Sequence, residues 1–339
     1  MPTAKRCPSV LLLLAVLILA AGPAAAGPTR IKVALITPEG STWTNTLHEM
    51  ADALKNQTGG EVELKIYAGG VSGDELDVLR KMQANRIHAA GFSGVGLGVV
   101  LPQIRILEAP LLFGDDDEID YVKERLYDGF AADFEKKGYV LLGFAEAGFV
   151  YFYTNIDPSG PDAIRQLKMW AWKGDPVAQT FLETFGIRTF PLHLADVNTG
   201  LETGMIDSFY SPPLAAVAFQ WYSRIQYMLD YPMVNSTGAF LMNKRIFDRL
   251  SEKNQAVLKD LSRQYCRKLV ELTRKDNQEA RSVLEGAGVT FVVPSKAQKT
   301  AFAENARQTW DKNMPGLYPR ALFDQVRSLL EAFRKKNGG

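Results

Sequence analysis

The sequence predicts an α/β protein built as two lobes and exported from the cytoplasm. Three observations carry this: a strand, helix, strand, helix, strand order near the N-terminus, its weaker repetition in mid-chain, and a leader-like first segment. MPTAKRCPSVLLLLAVLILAAGPAAAG sets Lys5 and Arg6 before an apolar run from Val10 to Ala21 and closes on Ala24-Ala25-Ala26. That is the pattern of a signal peptide over residues 1–26, cut after Ala26, and it predicts a periplasmic protein. The apolar run is shorter than the roughly 20 residues a spanning helix needs, and no later segment approaches that length. Cys7 precedes the apolar run, whereas a lipoprotein cysteine follows it.

Without the leader one cysteine remains, Cys266, so no intrachain disulfide is expected and stability must come from burial. Roughly 310 mature residues exceed what one hydrophobic core usually holds, which favours two domains. Losing Lys5 and Arg6 takes the net charge from +1 to −1. A near-balanced chain gives no sign of a nucleic-acid partner.

IKVALIT (31–37) is a β-branched run ending before Pro38, and residues 42–57 carry helical apolar spacing up to the Gly59-Gly60 stop. EVELKIYA (61–68) alternates as a strand, DELDVLRKMQANR opens a helix at Asp74, and IHAAGF is the next strand. These units predict a mostly parallel sheet. YVLLGFAEAG, VYFYTN and LKMWAW read as further strands, with helices from Pro176 to Phe185 and from Ala195 to Thr203. From Lys244 onward charged helices dominate, interrupted by the strand-like VTFVVP.

Catalytic chemistry finds little support. His48, His88 and His193 lie on three separate elements, and position 52, where a zinc-protease helix needs its second histidine, is Asp52. GFSGVGLG (91–98) has neither dinucleotide spacing nor a following Lys-Ser or Lys-Thr pair, and its second glycine comes too early for a nucleophile elbow. It reads as a tight strand-to-helix turn, with Gly94 retained as a place where backbone can approach a ligand. Asp115-Asp116-Asp117-Glu118 belongs at a helix start, where carboxylates are favourable, and lacks calcium-loop spacing. No metal, cofactor or enzymatic activity is expected.

Three stretches are more specific: YAGGVSGDELDVLRKMQANRIHAAGFSGVGLG, ILEAPLLF, and LKMWAWKGDPVAQTFLETFGIRTFPLHLADVNTGLETGMIDSFYSPPLAAVAFQWY. Together they resemble the DctP-type solute-binding proteins of tripartite ATP-independent periplasmic (TRAP) transporters, from about Ile31 to about Pro294. The resemblance implies a two-lobed periplasmic-binding-protein fold with an interlobe cleft, hinge strands and a long connecting helix. It places residues 27–148 and 235–272 in lobe I, and 149–234 and 273–339, with the C-terminal helices, in lobe II. It also implies delivery of a small organic ligand to TRAP membrane permease subunits.

Departures from the family matter as much. Most members carry at the position of Trp170 an arginine that grips a substrate carboxylate, and sialic-acid-type members carry another near Val150. This chain has neither, and SFYSPP (208–213) replaces a shorter stretch with a polar asparagine. Strand alternation puts Trp170 and Trp172 on one face, toward the cleft, and Phe149 and Tyr151 on another alternating set. Tyr210, Trp221 and Trp43 add rings, while Phe152 and Phe181 are expected in a core. Lys173 stands beside the helix start at Asp175-Pro176 as a candidate for an anionic head group.

Ring surfaces in place of a guanidinium favour a hydrophobic or amphipathic solute. The alternative is a small organic acid held by Lys173, Arg188 or backbone amides. The missing arginine also makes the chain similar to the subset that works with a tetratricopeptide-repeat partner protein, which implies such a partner here.

Overall fold

The computed structural model describes residues 27–160, 162–314 and 316–337; the expected signal peptide lies outside the described residues. Lobe I opens with β1 (Thr29–Ala34), α1 (Thr42–Gln57), β2 (Val62–Tyr67), α2 (Glu75–Gln83), β3 (Ala89–Ser93), α3 (Gly94–Val100) and α4 (Asp116–Lys136). Polar side chains start these helices: Ser41, Asp74, Ser93 and Asp115 each accept a backbone N–H of the first turn. The acidic run therefore serves as a cap, and the glycine-rich stretch is a strand-to-helix turn.

The chain then enters β4 (Tyr139–Thr154), β5 (Lys168–Trp172), α5 (Pro176–Thr184), β6 (Arg188–Leu192), α6 (Val197–Glu202), β7 (Ser208–Ser211) and α7 (Pro213–Ala218). It returns through β8 (Tyr227–Asn243), α8 (Lys244–Phe247), α9 (Glu252–Gly286), β9 (Thr290–Val292), α10 (Lys296–Asn313) and α11 (Arg320–Asn337). The sheet runs β2-β1-β3-β8-β4-β7-β5-β6, with β9 pairing β8. β1 lies parallel to β2 and β3, and β5 parallel to β6 and β7, as expected of βαβ units. β8 is antiparallel to β3 and β4, and β4 also to β7.

β4 and β8 belong to both lobes. Tyr139 to Glu146 pair with Asn243 to Thr237, and Val150 to Thr154 with Val234 to Tyr227, with register breaks at Leu141/Gly143, Glu146/Gly148 and Val150/Phe152. YVLLGFAEAG and VYFYTN are thus one strand. Gly148 adopts φ 103°, open to glycine, and a Cβ there would lie 2.5 Å from Asn277 Nδ2. Pairing continues through this bulge where composition alone suggested a stop. β8 escaped the sequence reading because Asp230, Asn235, Ser236, Thr237 and Gly238 interrupt its apolar pattern.

Each lobe packs helices on both sheet faces. In lobe I, Val78, Met82, Val122 and Phe130 fill one side, and Ile31, Met50, Leu54 and Leu258 the other. In lobe II, Phe152 and Phe181 share a core with Met169, while Tyr153, Phe209 and Met228 fill the opposite side. The 35-residue α9, about 50 Å long at 1.5 Å per residue, buries Leu258 and Cys266 against lobe I and Leu284 against lobe II. Among the described residues no helix is long and apolar enough to cross a membrane.

The C-terminal helices divide between the lobes, which corrects the expectation that 273–339 belongs to lobe II. Phe302 and Ala306 of α10 pack on Phe181 and Phe185, but Phe323, Val326 and Leu330 of α11 pack with Val122, Leu126 and Phe130 of lobe I. Arg334 fixes α11 there through Glu118, at 2.6 Å (Nε to Oε1) and 2.7 Å (Nη2 to Oε2). An amphipathic helix shows which face it will bury and not which lobe receives it. Leu330 is 1% exposed, so Leu330→Ala should cost about 2–5 kcal/mol, read as a lower urea midpoint at unchanged slope.

Candidate ligand-binding site

A cavity of about 160 Å³ lies where β1, β3, β5 and β7 end, between the two lobes. Ligands of open α/β sheets bind outside the carboxyl ends of parallel strands, because loops leave backbone groups and side chains free there. Lobe I contributes Leu35, Ile36, Trp43, Glu75 and Phe92, and lobe II contributes Trp170, Trp172, Tyr210, Phe219 and Trp221. Ala147, Val150, Ser236, Thr237 and Gly238 of the hinge strands close the base.

Trp43 stands in the first turn of α1 against a glycine floor. A Cβ on Gly91 would lie 3.2 Å from its ring, and one on Gly238 would lie 3.1 Å from it. Trp170 forms the hub of the opposite wall. Its ring stacks on Tyr210 at 5.2 Å and 20°, meets Trp221 edge-on at 5.2 Å and 67°, and sits 6.0 Å from Trp172. Phe219 stacks on Trp221 at 5.2 Å, extending the aromatic wall. Trp170 is only 2% exposed and donates its Nε1–H to Leu192 O at 3.2 Å, so it is at once core and cavity wall. Trp172 N–H donates to Tyr210 Oη at 3.1 Å, which fixes the tyrosine ring in place.

The polar groups are unevenly distributed. No lysine, arginine or histidine lines this cavity among the described residues; the one carboxylic acid in its lining is Glu75, 1% exposed. Burial pushes the Glu75 carboxyl up to about 7, although backbone N–H groups of Ser93 and Gly96 favour its charged form. At the rim, Asp74 Oδ2 accepts Trp172 Nε1–H at 3.2 Å and lies 3.2 Å from His193 Nδ1. These contacts join the start of α2 in lobe I to lobe II.

Behind Tyr210 a smaller cavity of about 60 Å³ contains Arg105, which is committed elsewhere. Its Nη2 lies 2.7 Å from Asp175 Oδ1 and its Nε 2.8 Å from Glu108 Oε2, and all three side chains are buried. Asp175 also caps α5 by accepting Val177 and Ala178 N–H groups, so that helix start is occupied by its own side chain.

Of the residues expected to touch ligand, Trp43, Trp170, Trp172, Tyr210 and Trp221 come together around the cavity. Four do not reach it. Phe149 and Tyr151 are half-buried outside the lining, because the bulges around Gly148 bring Val150 to the cavity instead; Tyr151 lies under the Arg281 guanidinium at 5.4 Å. Gly94 makes room for Glu108, whose carboxylate would lie 1.9 Å from a Cβ there, and neighbouring Ser93 lines the cavity. Lys173 is exposed and outside the cavity lining. The sequence reading missed Phe92, Phe219 and Glu75; a glutamate in a helix first turn gives no local sign that it faces inward.

Two α/β lobes enclosing a cavity at their hinge define a ligand-sequestering binding protein. The profile described as bacterial extracellular solute-binding protein, family 7 (DctP) matches residues 33–315, and the chain belongs to that family. A solute-binding protein of Verminephrobacter eiseniae is 26% identical over 311 residues, 90% of each chain. The 2,3-diketo-L-gulonate-binding periplasmic protein YiaO of Escherichia coli is 24% identical over 271 residues, covering 78% of this chain and 81% of its own length. The crystal structure of a TRAP periplasmic solute-binding protein from Citrobacter koseri with bound D-glucuronate superposes with a TM-score of 0.81 at 24% identity, covering 88% of this chain and 98% of that one.

Glu75 yields a test in the ligand-free protein. Its folded pKa of about 7 exceeds the ordinary 4.5, so the folded chain retains a proton that the unfolded chain releases, and this group's contribution falls as pH rises across that interval. The stability of Glu75→Gln minus that of wild type should rise by up to about 3 kcal/mol between pH ~4.5 and ~8. Urea unfolding at a series of pH values reads it, and a flat difference contradicts the burial described.

Proposed function

We propose that this chain is the periplasmic receptor of a TRAP-type transporter for a hydrophobic or amphipathic organic solute, held between the lobes by tryptophan and tyrosine rings. The observation that carries the reading is the lining: four tryptophans, and no basic side chain among the described residues. A buried substrate carboxylate would lack a charged hydrogen-bond partner worth roughly 1.5–3 kcal/mol and would still lose its water. Apolar surface placed against the rings gains about 25 cal/mol per Å² removed from water.

Trp43, Trp170, Trp172, Tyr210 and Trp221 are the proposed contacts. Closing the lobes brings Asp74 to Trp172 and His193, a latch that completes itself over the solute in a hinge motion. The loaded receptor then delivers its solute to membrane permease subunits, with a tetratricopeptide-repeat protein as a further partner. A small organic acid is the competing reading, since YiaO is named for 2,3-diketo-L-gulonate and the Citrobacter structure holds D-glucuronate. Against it, Lys173 and Arg188 are exposed, Arg188 lies over Phe190 at 4.9 Å, and Arg105 is already held by two carboxylates.

Native mass spectrometry of protein purified without refolding should reveal a co-purifying apolar molecule. Trp172→Ala, at a half-buried position, should lower its occupancy at least tenfold while leaving the circular dichroism spectrum intact. A ligand at 100 times its Kd adds about 2.7 kcal/mol of stability, so thermal shifts with small dicarboxylates and keto acids separate the two readings. A clear response to them, or undiminished retention by Trp172→Ala, overturns the proposal.

A further inference from the structure

Five acidic side chains are buried among the described residues: Glu75, Glu108, Glu118, Glu146 and Asp175. Four have a cation from the chain itself. Glu108 and Asp175 share Arg105, Glu118 has Arg334, and Glu146 has Lys123 at 3.2 Å and Arg274 at 2.7 Å. This is the usual solution, since a buried charge is costly unless paired. Glu75 departs from it: no lysine, arginine or histidine stands within ion-pair distance among the described residues, and its side chain borders the aromatic cavity.

The chain nevertheless holds Glu75 as a carboxylate acceptor. Ser93 N–H donates to Oε1 at 2.7 Å, and Gly96 N–H and Ser93 Oγ–H donate to Oε2 at 2.7 Å and 3.0 Å. Gly96 is what permits this approach, because a Cβ there would lie 2.7 Å from Oε2. A carboxylate accepts about four hydrogen bonds, so with a single partner on Oε1 one acceptor position remains. Trp43 and Trp172 line the same cavity, and tryptophan rings attract cations. Donors fix the acid, aromatic residues line the cavity it borders, and among the described residues no cation from the chain is paired with it.

We propose that the solute supplies that partner: it carries a protonated amine that ion-pairs with Glu75, while its apolar body packs on the tryptophans. This rests on the reading of the cavity as an aromatic solute site and specifies the head group. An amine donates a charge-assisted hydrogen bond, roughly twice as strong as a neutral one, and gains from the ring faces as well. A hydroxyl head gains only the weaker bond, and a carboxylate meets like charge. Burial lifts the Glu75 carboxyl to about 7, and an arriving cation draws it back toward its charged form.

Benzylamine, benzyl alcohol and benzoate share a ring that fits a cavity of about 160 Å³ and differ only in head-group charge. Calorimetric titration of the ligand-free wild type should show benzylamine binding at least tenfold more tightly than benzyl alcohol, with benzoate weakest. Glu75→Gln should abolish the preference for the amine. Equal affinities for amine and alcohol, or a preference that survives Glu75→Gln, overturn the inference while leaving the aromatic site intact, provided Trp172→Ala still weakens benzyl alcohol. Benzoate binding tightest overturns both, and no binding by any of the three overturns this one. The wild-type ranking alone decides the matter even if the variant folds poorly.

Discussion

Everything in this structure depends on the pairing of β4 with β8 from end to end. Each strand begins in one lobe and finishes in the other, so a single ladder both joins the lobes and sets the distance between them. The ladder is broken at the hinge, where Gly148 stands in a conformation other residues avoid and where Ser236, Thr237 and Gly238 border the cavity. A regular ladder resists bending, whereas bulges concentrate it at chosen residues. The base of the cavity and the breaks in the ladder therefore fall on the same short stretches of β4 and β8, and α9 packs against both lobes.

Trp170 shows how one side chain can satisfy two demands. Its stacking on Tyr210 and edge contact with Trp221 help close the core of lobe II, and the remaining indole surface forms the cavity wall. A guanidinium at this position would need a carboxylate or water on every donor. The indole needs one acceptor, which Leu192 O provides. A surface of this kind is preorganised, because rings already packed on one another lose little freedom when a solute arrives. Lobe I answers with Trp43 on its glycine floor, so the cavity is lined by rings from both lobes.

Charge is arranged by the same economy of partners. Arg105 links Glu108 of lobe I to Asp175 at the start of α5, a buried cluster behind Tyr210 that leaves its guanidinium outside the lining of the aromatic cavity. Farther back, Arg274 and Lys123 neutralise Glu146 beside the hinge bulge. Against this background of paired acids, Glu75 is the buried acid without a cation from the chain among the described residues, and it lines the cavity.

The sequence by itself determined the αβ order, the helix caps at Asp74, Asp115 and Asp175, and the family, because these rest on local spacing and short-range hydrogen bonds. It also determined that Trp170 and Trp172 share a face, since alternation in a short, unbroken strand leaves little freedom. Phe149 and Tyr151 could not be placed the same way: a bulge at Gly148 shifts the phase, and bulges arise from pairing with a strand almost 90 residues away. The course of β8, the docking of α11 on lobe I and the inward turn of Glu75 were likewise decided only by tertiary structure. Each depends on which distant surface a segment meets, and a helix face or a single carboxylate carries no record of that partner in its neighbours along the chain.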